Sequence, residues 1–472
     1  MGRDLVPAKR TKASFRFYLP LLAAAVLIPF EQSRAQSTIV PPGFPKGPFI
    51  DQNMRSAKKG ELLVTLSSRT KSKLTNIFKK KNKGRSPSPY QLQSLLAKQL
   101  GLRVSDSINA ETVLLKGKRV NSAKVKRAES NGLVRRAQSN YSVFAFDSTN
   151  DFFYTLGLLW NLHSSGGFLS SEDIDVDAPE AWQITTGSSS LVVAVVDTGL
   201  FYGHRDIADN LWINPREEAN GLDDDGNGYI DDFNGWDFVN EDNDPDDDQF
   251  HGTHVAGTIA AVRNNGYGIA GVAPNVKILP LKVLGSDGSG DTAGLVRAID
   301  YAVLLKQSGV NVAVINASLG GGDRLDALEN AIRRADKAGI VFVAAAGNDG
   351  SDNDTSPVYP AGYDLANVIS VAALTGHGAL ADFSNYGARS VHVAAPGDGI
   401  WSSIILNFYL PFSGTSMAAP HVAGIAALLK SRNPSMSPST VKSRIMNSVK
   451  PLSGLEGKMR APGIVSAYRA LR

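Results

Sequence analysis

The chain contains no cysteine. Disulfides cannot staple it, and no thiol can serve as a nucleophile. Stability must come from the packed core and from any bound metal. Long apolar runs are also scarce. Residues 17–30 form one of 14 residues, interrupted by Pro20, which is short of the roughly 20 needed to cross a bilayer. No other stretch could span a membrane, so the mature chain is expected to have no membrane span. Interleaved basic and aromatic residues and nucleic-acid-binding motifs are missing too, so no nucleic-acid partner is expected.

The composition that remains is ordinary. Of 472 residues, 43% are hydrophobic and 20% charged, enough for a large core and for two or three units. The net charge of +4 hides a split. Residues 36–149 carry 22 Lys and Arg against 6 Asp and Glu, whereas residues 150–472 carry 21 against 37. A basic segment precedes an acidic one. That pattern suits either a nucleic-acid arm or two parts that dock on each other.

Residues 1–35 read as a signal peptide. Lys9, Arg10, Lys12 and Arg16 precede the apolar run, and Ser33, Arg34 and Ala35 offer a cleavage site before Gln36. An uncleaved anchor is the other reading. Export to periplasm or medium is expected. Residues 36–60 are rich in Pro, Gly, Ser and Lys and read as a flexible leader. Residues 61–149 read as a small α+β domain. Strands are expected at 61–66, 111–115 and 141–146 and helices at 89–102 and 120–137, with the basic run at 79–85 as a solvated loop.

From residue 150 to 472 the pattern changes. Apolar runs at 191–196, 277–283, 310–315, 340–346, 368–373 and 390–395 alternate with helical spacing at 251–263, 292–307, 324–338, 416–430 and 437–448. This predicts an α/β domain with a mainly parallel central sheet covered by helices on both faces. Sites in such sheets form at the carboxyl ends of strands.

Four segments stand at such positions. Asp197-Thr198-Gly199 follows the 191–196 run, and a carboxylate there needs a partner. His251 opens His251-Gly252-Thr253-His254-Val255-Ala256-Gly257-Thr258, and imidazole can accept and return a proton near neutral pH. Ser416, in Gly414-Thr415-Ser416-Met417-Ala418, lies at a helix start, where N–H groups favour developing negative charge. Asn348, in Ala346-Gly347-Asn348, offers an amide donor after a strand. Taken singly, each is as readily a cap, a turn or a packing residue.

Together and in this order, the four motifs resemble those of the subtilisin-like (S8) serine peptidase family. The likeness runs from about residue 151 to the C-terminus. It implies a three-layer subtilisin-like fold, preceded by an inhibitory propeptide at 61–149 and made as a self-processing zymogen. It also implies a secreted serine endopeptidase of broad specificity acting on protein or peptide substrates. Ser416 would be the nucleophile, His251 the general base and Asp197 its orienting carboxylate; Asn348 and the Ser416 N–H would form the oxyanion hole. Gly288, Ser289 and Gly290, with Ser318, Leu319 and Gly320, would pair with an extended substrate backbone. Asp349 either borders the pocket before the scissile bond or is a solvated turn residue. A monomer is expected.

Calcium is the expected cofactor. Asp223, Asp225, Asn227 and Asp231, with Gly228 at the sixth position, match the first part of an EF-hand loop, although Asn234 replaces its closing Glu. The run 242–248 is a further acidic candidate. The family likeness adds a thermitase-like loop. There the main-chain oxygens of Val262, Tyr267 and Ile269 and the side chain of Asn265 would join Asp151 and Asp206.

Overall fold

The computed structural model describes residues 57–100, 102–107, 112–116, 134–141 and 149–472. The expected signal peptide, and the leader as far as residue 56, lie outside these residues. So do residues 120–133 of the expected second helix and 142–146 of the expected last strand.

The basic segment forms a four-stranded antiparallel sheet in the order β2-β3-β1-β4, from β1 (Ala57–Leu66), β2 (Arg103–Ser107), β3 (Thr112–Lys116) and β4 (Val134–Tyr141). Helices α1 (Ser68–Lys81) and α2 (Pro89–Leu100) belong to the same segment. Leu74 and Leu96, one on each helix, share a core with Val64, Val113 and Leu115 of the sheet. Three expectations change here. Residues 57–60, read as leader, are strand, and Ala57 pairs with Tyr141. Residues 134–137, read as helix, belong to β4 because they pair with β1. Lys79, Lys80 and Lys81, read as loop, form the last turn of α1, where cations meet the negative end of the helix dipole. That helix starts at Ser67, whose side chain accepts from Thr70 N at 3.1 Å.

The acidic segment forms a nine-stranded sheet. Its core strands are β5 (Val192–Asp197), β7 (Lys277–Lys282), β8 (Val312–Ala317), β9 (Val341–Ala345), β10 (Val368–Leu374) and β11 (Val393–Pro396). Short strands β6 (Trp236–Asp237), β14 (Lys450–Pro451) and β15 (Gly463–Ile464) complete the order β14-β15-β11-β10-β9-β8-β5-β7-β6. All pairings are parallel except that of β14 with β15.

Strand alternation sends successive side chains to opposite faces. Val193 and Val195 join the core of helices α3 (His251–Ala260), α6 (Thr415–Arg432) and α7 (Pro438–Asn447). Val192, Ala194 and Val196 join that of α4 (Thr292–Gln307) and α5 (Asp326–Lys337). The result is a three-layer α/β domain with a buried central sheet. A hairpin of β12 (Ile400–Ile404) and β13 (Phe408–Phe412), which the sequence pattern did not suggest, leads into α6.

Candidate active site

Asp197 is the last residue of β5 and has no solvent exposure. Its Oδ1 receives Thr198 N at 2.8 Å and lies 2.7 Å from His251 Nδ1. His251 is the first residue of α3, with its side chain 16% exposed. Two glycines allow this approach. A Cβ on Gly252 would run into the carbonyl oxygen of Gly199, and Gly199 itself adopts φ +108°. Burial alone would lower the basicity of His251. The charge and hydrogen bond of Asp197, helped by the charge of Asp247, outweigh it, so the imidazole pKa lies above the usual value.

Ser416 lies in the first turn of α6 and is 7% exposed. Its hydroxyl donates to the carbonyl of Ser318 at 2.9 Å, and Ser318 Oγ donates to the carbonyl of Ser416 at 2.8 Å. Pro420 explains the second bond. It occupies the position four residues on and has no N–H, so the Ser416 carbonyl lacks the usual helical partner. Ser318 supplies one, tying the start of α6 to the end of β8. Asn348 follows β9. Its Oδ1 accepts from Thr415 N at 2.8 Å and Thr415 Oγ1 at 2.9 Å, which fixes the amide and leaves Nδ2 to donate. Gly347 allows the turn, since a Cβ there would meet Asn385 at a φ of +111°.

Gly288, Ser289 and Gly290 lie in the loop between β7 and α4, closed by Gly285 N to Ser289 O at 2.9 Å. A Cβ on Gly288 would sit 3.5 Å from Gln249 Nε2, which places the loop beside the segment entering His251. Ser318, Leu319 and Gly320 follow β8, and Ser318 touches Ser416 directly. Asp349 is exposed; its backbone N–H donates to Asn385 Oδ1 at 2.9 Å.

Asp151 and Asp206, 55 positions apart in the chain, are both fully buried. Asn265 joins them: its backbone N donates to Asp151 Oδ1 at 3.2 Å and its Nδ2 to Asp206 Oδ1 at 2.7 Å. Ile269 N and the Tyr409 hydroxyl also reach Asp206, at 2.9 and 2.7 Å. Val262 N bonds the carbonyl of Asp206 at 2.7 Å, and the Tyr267 carbonyl accepts from Phe152 N at 3.4 Å. Burial raises the pKa of both carboxyls. The two buried carboxylates supply hard oxygens of the kind a cation takes, but Asn265 and Ile269 meet Asp206 through N–H groups and not through the oxygens expected of them.

In the EF-hand-like loop the carboxylates brought together are those of Glu217, Asp223 and Asp225, with ligand atoms within 4.8 Å of one another. Asn227 folds back on this group, its N donating to Asp223 and Asp225. The Asp231 carboxylate instead accepts from Asn220 N and Gly221 N. Glu217 was not visible as a partner because it precedes the loop. The 242–248 run has other employment. Asp244 takes the Tyr202 hydroxyl, Asp248 pairs with Lys282, and Asp247 binds the start of α3.

A buried strand-end carboxylate bonded to a helix-start histidine, and a serine at the start of a second helix packed against the first, are the elements from which a serine peptidase site is built. The sequence model of the subtilase family, Peptidase S8, matches residues 188–464, and the chain belongs to that family. It is a subtilisin-like serine endopeptidase. Thermitase from Thermoactinomyces vulgaris is 40% identical over 297 residues, covering 63% of this chain and 94% of that protein. A thermophilic serine proteinase from Bacillus sp. strain AK1 is 42% identical over 310 residues, 66% of each chain. Among solved structures, a protease from Pseudoalteromonas arctica PAMC 21717 superposes with a TM-score of 0.58 at 32% identity, over 69% of this chain and 99% of its own.

Proposed function

We propose that residues 150–472 hydrolyse peptide bonds with Asp197, His251 and Ser416 as the triad, and that the chain is exported as a self-processing zymogen. The observation that carries the triad is the 2.7 Å contact between His251 Nδ1 and the fully buried Asp197. Asp197 fixes the tautomer in which Nε2 is free to accept. The Ser416 hydroxyl rotates from the Ser318 carbonyl to Nε2, gives up its proton and attacks the scissile carbonyl. The oxyanion then sits between the N–H of Ser416, which has no helical partner at the start of α6, and Nδ2 of Asn348. His251 protonates the leaving amine, and water repeats the sequence to release the acyl group.

The substrate backbone lies as an added strand between Gly288–Gly290 and Ser318–Gly320, a mode that tolerates many side chains and gives broad specificity. An exposed carboxylate at Asp349 near the pocket mildly favours Lys or Arg before the cut. Asp151, Asp206 and Asn265, with carbonyls of Val262, Tyr267 and Ile269, would hold a calcium ion that cross-links these segments, and Asp223 and Asp225 would hold a second.

The basic domain at 61–149 serves as the inhibitory propeptide. Its positive charge opposes that of the catalytic domain, which favours docking and orientation. Processing near residues 146–150 releases the enzyme. The test is Ser416→Ala in the full chain. It should cleave no chromogenic peptide and accumulate uncut, less only its signal peptide, by intact mass. Processing at the same place in the pure variant would rule out self-cleavage.

A further inference from the structure

We propose that Asp247 is a positioning residue for the catalytic histidine, locking the first turn of α3 to the loop that carries Asp197. The proposal rests on the triad assigned above. Asp247 is 4% exposed, and both its oxygens are engaged. Oδ1 accepts from Thr198 Oγ1 at 2.8 Å, Gln249 N at 3.0 Å and Phe250 N at 2.8 Å. Oδ2 accepts from Thr253 N at 2.9 Å and Thr253 Oγ1 at 2.6 Å. One carboxylate thus joins the residue after Asp197 to the residues on both sides of His251.

Helix α3 needs such an anchor. Its N-cap, Phe250, makes no side-chain cap and is held at φ +114°, a conformation costly for a bulky residue. The N–H groups of a first helical turn have no partner within the helix. Here His251 N finds Gln249 Oε1 at 3.0 Å, Gly252 N finds Thr198 Oγ1 at 2.8 Å and Thr253 N finds Asp247. Thr198 is the relay. Its backbone N–H holds Asp197 Oδ1, while its hydroxyl gives to Asp247 and takes from Gly252. Thr253 likewise accepts Phe201 N at 2.9 Å, closing the far side of the same loop. The position of the imidazole against Asp197 is therefore set by a dry carboxylate that touches neither substrate nor the imidazole.

The charges around the two groups are known. Asp197 faces His251 from the end of β5, and His254 lies one turn on in α3. Asp246 and Asp244 belong to the same loop as Asp247. The Asp248 carboxylate is paired with Lys282 of β7 at 2.6 Å, and Lys282 also reaches the Thr198 carbonyl at 2.7 Å. Loss of the Asp247 charge leaves the rest of this set in place and lowers the basicity of His251, which its negative charge supports.

The test compares the mature enzyme with Asp247→Asn, Asp247→Ala and Asp197→Asn, each counted by titration of active serines with a phosphonate. A chromogenic peptide is assayed across the acid limb of the pH profile. Per titrated site, Asp247→Ala should lose about 100-fold in kcat with KM little changed, as expected for a slight misplacement of reacting groups. The acid limb of kcat/KM should move to lower pH in both Asp247 variants. A purely structural role would lower the number of titratable sites while leaving kcat per site and the acid limb where they were, and that result overturns the proposal. If neither variant folds, Thr198→Val removes the relay alone and should show the same fall in kcat per site; an unchanged value overturns the proposal equally. Wild-type kcat in Asp197→Asn would instead sink the triad assignment, a separate failure.

Discussion

Gly252 packs against Gly199 so closely that a Cβ on the first would occupy the carbonyl oxygen of the second. These glycines flank the two groups whose contact defines the site, one following Asp197-Thr198 and one following His251. The close approach of α3 to the end of β5 is thus written into the smallest side chains available.

Gly252→Ala should push α3 away from β5. The backbone has no room to yield, so the variant should lose about 1–3 kcal/mol of stability from overpacking. Its kcat/KM should fall by about 100-fold as the imidazole is displaced. Denaturant unfolding and peptide hydrolysis on the same preparation measure both. Near-wild-type kinetics would show that the glycine contact does not set the geometry.

Asn348→Ala removes one of the two proposed oxyanion donors and leaves the proposed triad intact. Turnover should drop by about 10²–10³-fold, the size of loss seen for such a donor in subtilisin, with little change in KM. Removal of Asn348 Oδ1 also frees Thr415, so circular dichroism and melting should accompany the kinetics.

Four buried histidines, His204, His254, His392 and His421, set a pH dependence of stability, and burial holds His392 well below its usual value. Burial lowers His254 to about 3 and His204 and His421 to about 4. An unfolded histidine titrates near 6.5. Below that value the unfolded chain takes up protons that the folded chain refuses, so this contribution is complete above pH ~6.5 and fades as pH falls toward ~4. Each group contributes up to 1.36 kcal/mol per pH unit in that window. His421, which accepts from Asn161 Nδ2 at 2.8 Å through Nε2 and donates to the Met417 carbonyl through Nδ1 at 2.8 Å, is the cleanest probe. His421→Gln should flatten the slope of unfolding free energy against pH across this range. An identical slope would show that His421 titrates normally in the folded state.

Removal of calcium should lower the melting temperature, and its return should restore it. A ligand bound only by the folded state adds RT ln(1 + [L]/Kd), about 2.7 kcal/mol at 100 Kd, and this chain has no disulfide to compensate. Asp206→Ala should reproduce the share of the chelation effect that comes from this site and weaken the response to added Ca²⁺, leaving only what the loop at Asp223 and Asp225 contributes. Melting that does not change after verified metal removal would contradict this.

Much of the catalytic domain was legible in the sequence because it is built from local signals. Buried parallel strands read as unbroken apolar runs, and 292–307 reads as a helix with the bounds it has in the structure. The four motif segments were visible because close backbone contacts demand glycine at fixed offsets. What stayed hidden depends on contacts between distant segments. Asp247 lay in an acidic run that looked like a metal loop, and only the fold brings Thr198 and Thr253 to it. Glu217 precedes the EF-hand-like loop and is folded back onto it. Ser318 looked like a substrate strip, but its hydroxyl meets a carbonyl freed by Pro420 across 98 residues. In the basic domain, α1 was missed because its face is largely polar, with only Thr70 and Leu74 buried.

The central claim is that Ser416 is made nucleophilic by His251 held on Asp197. Its most direct test is covalent labelling of the mature protein by a peptidyl phosphonate, read by peptide mass spectrometry. One label is expected, on Ser416, forming at a rate that follows the deprotonation of His251, with labelling abolished in His251→Ala and in Ser416→Ala. A label on any other residue, or labelling of Ser416 at an unchanged rate in His251→Ala, would contradict the account.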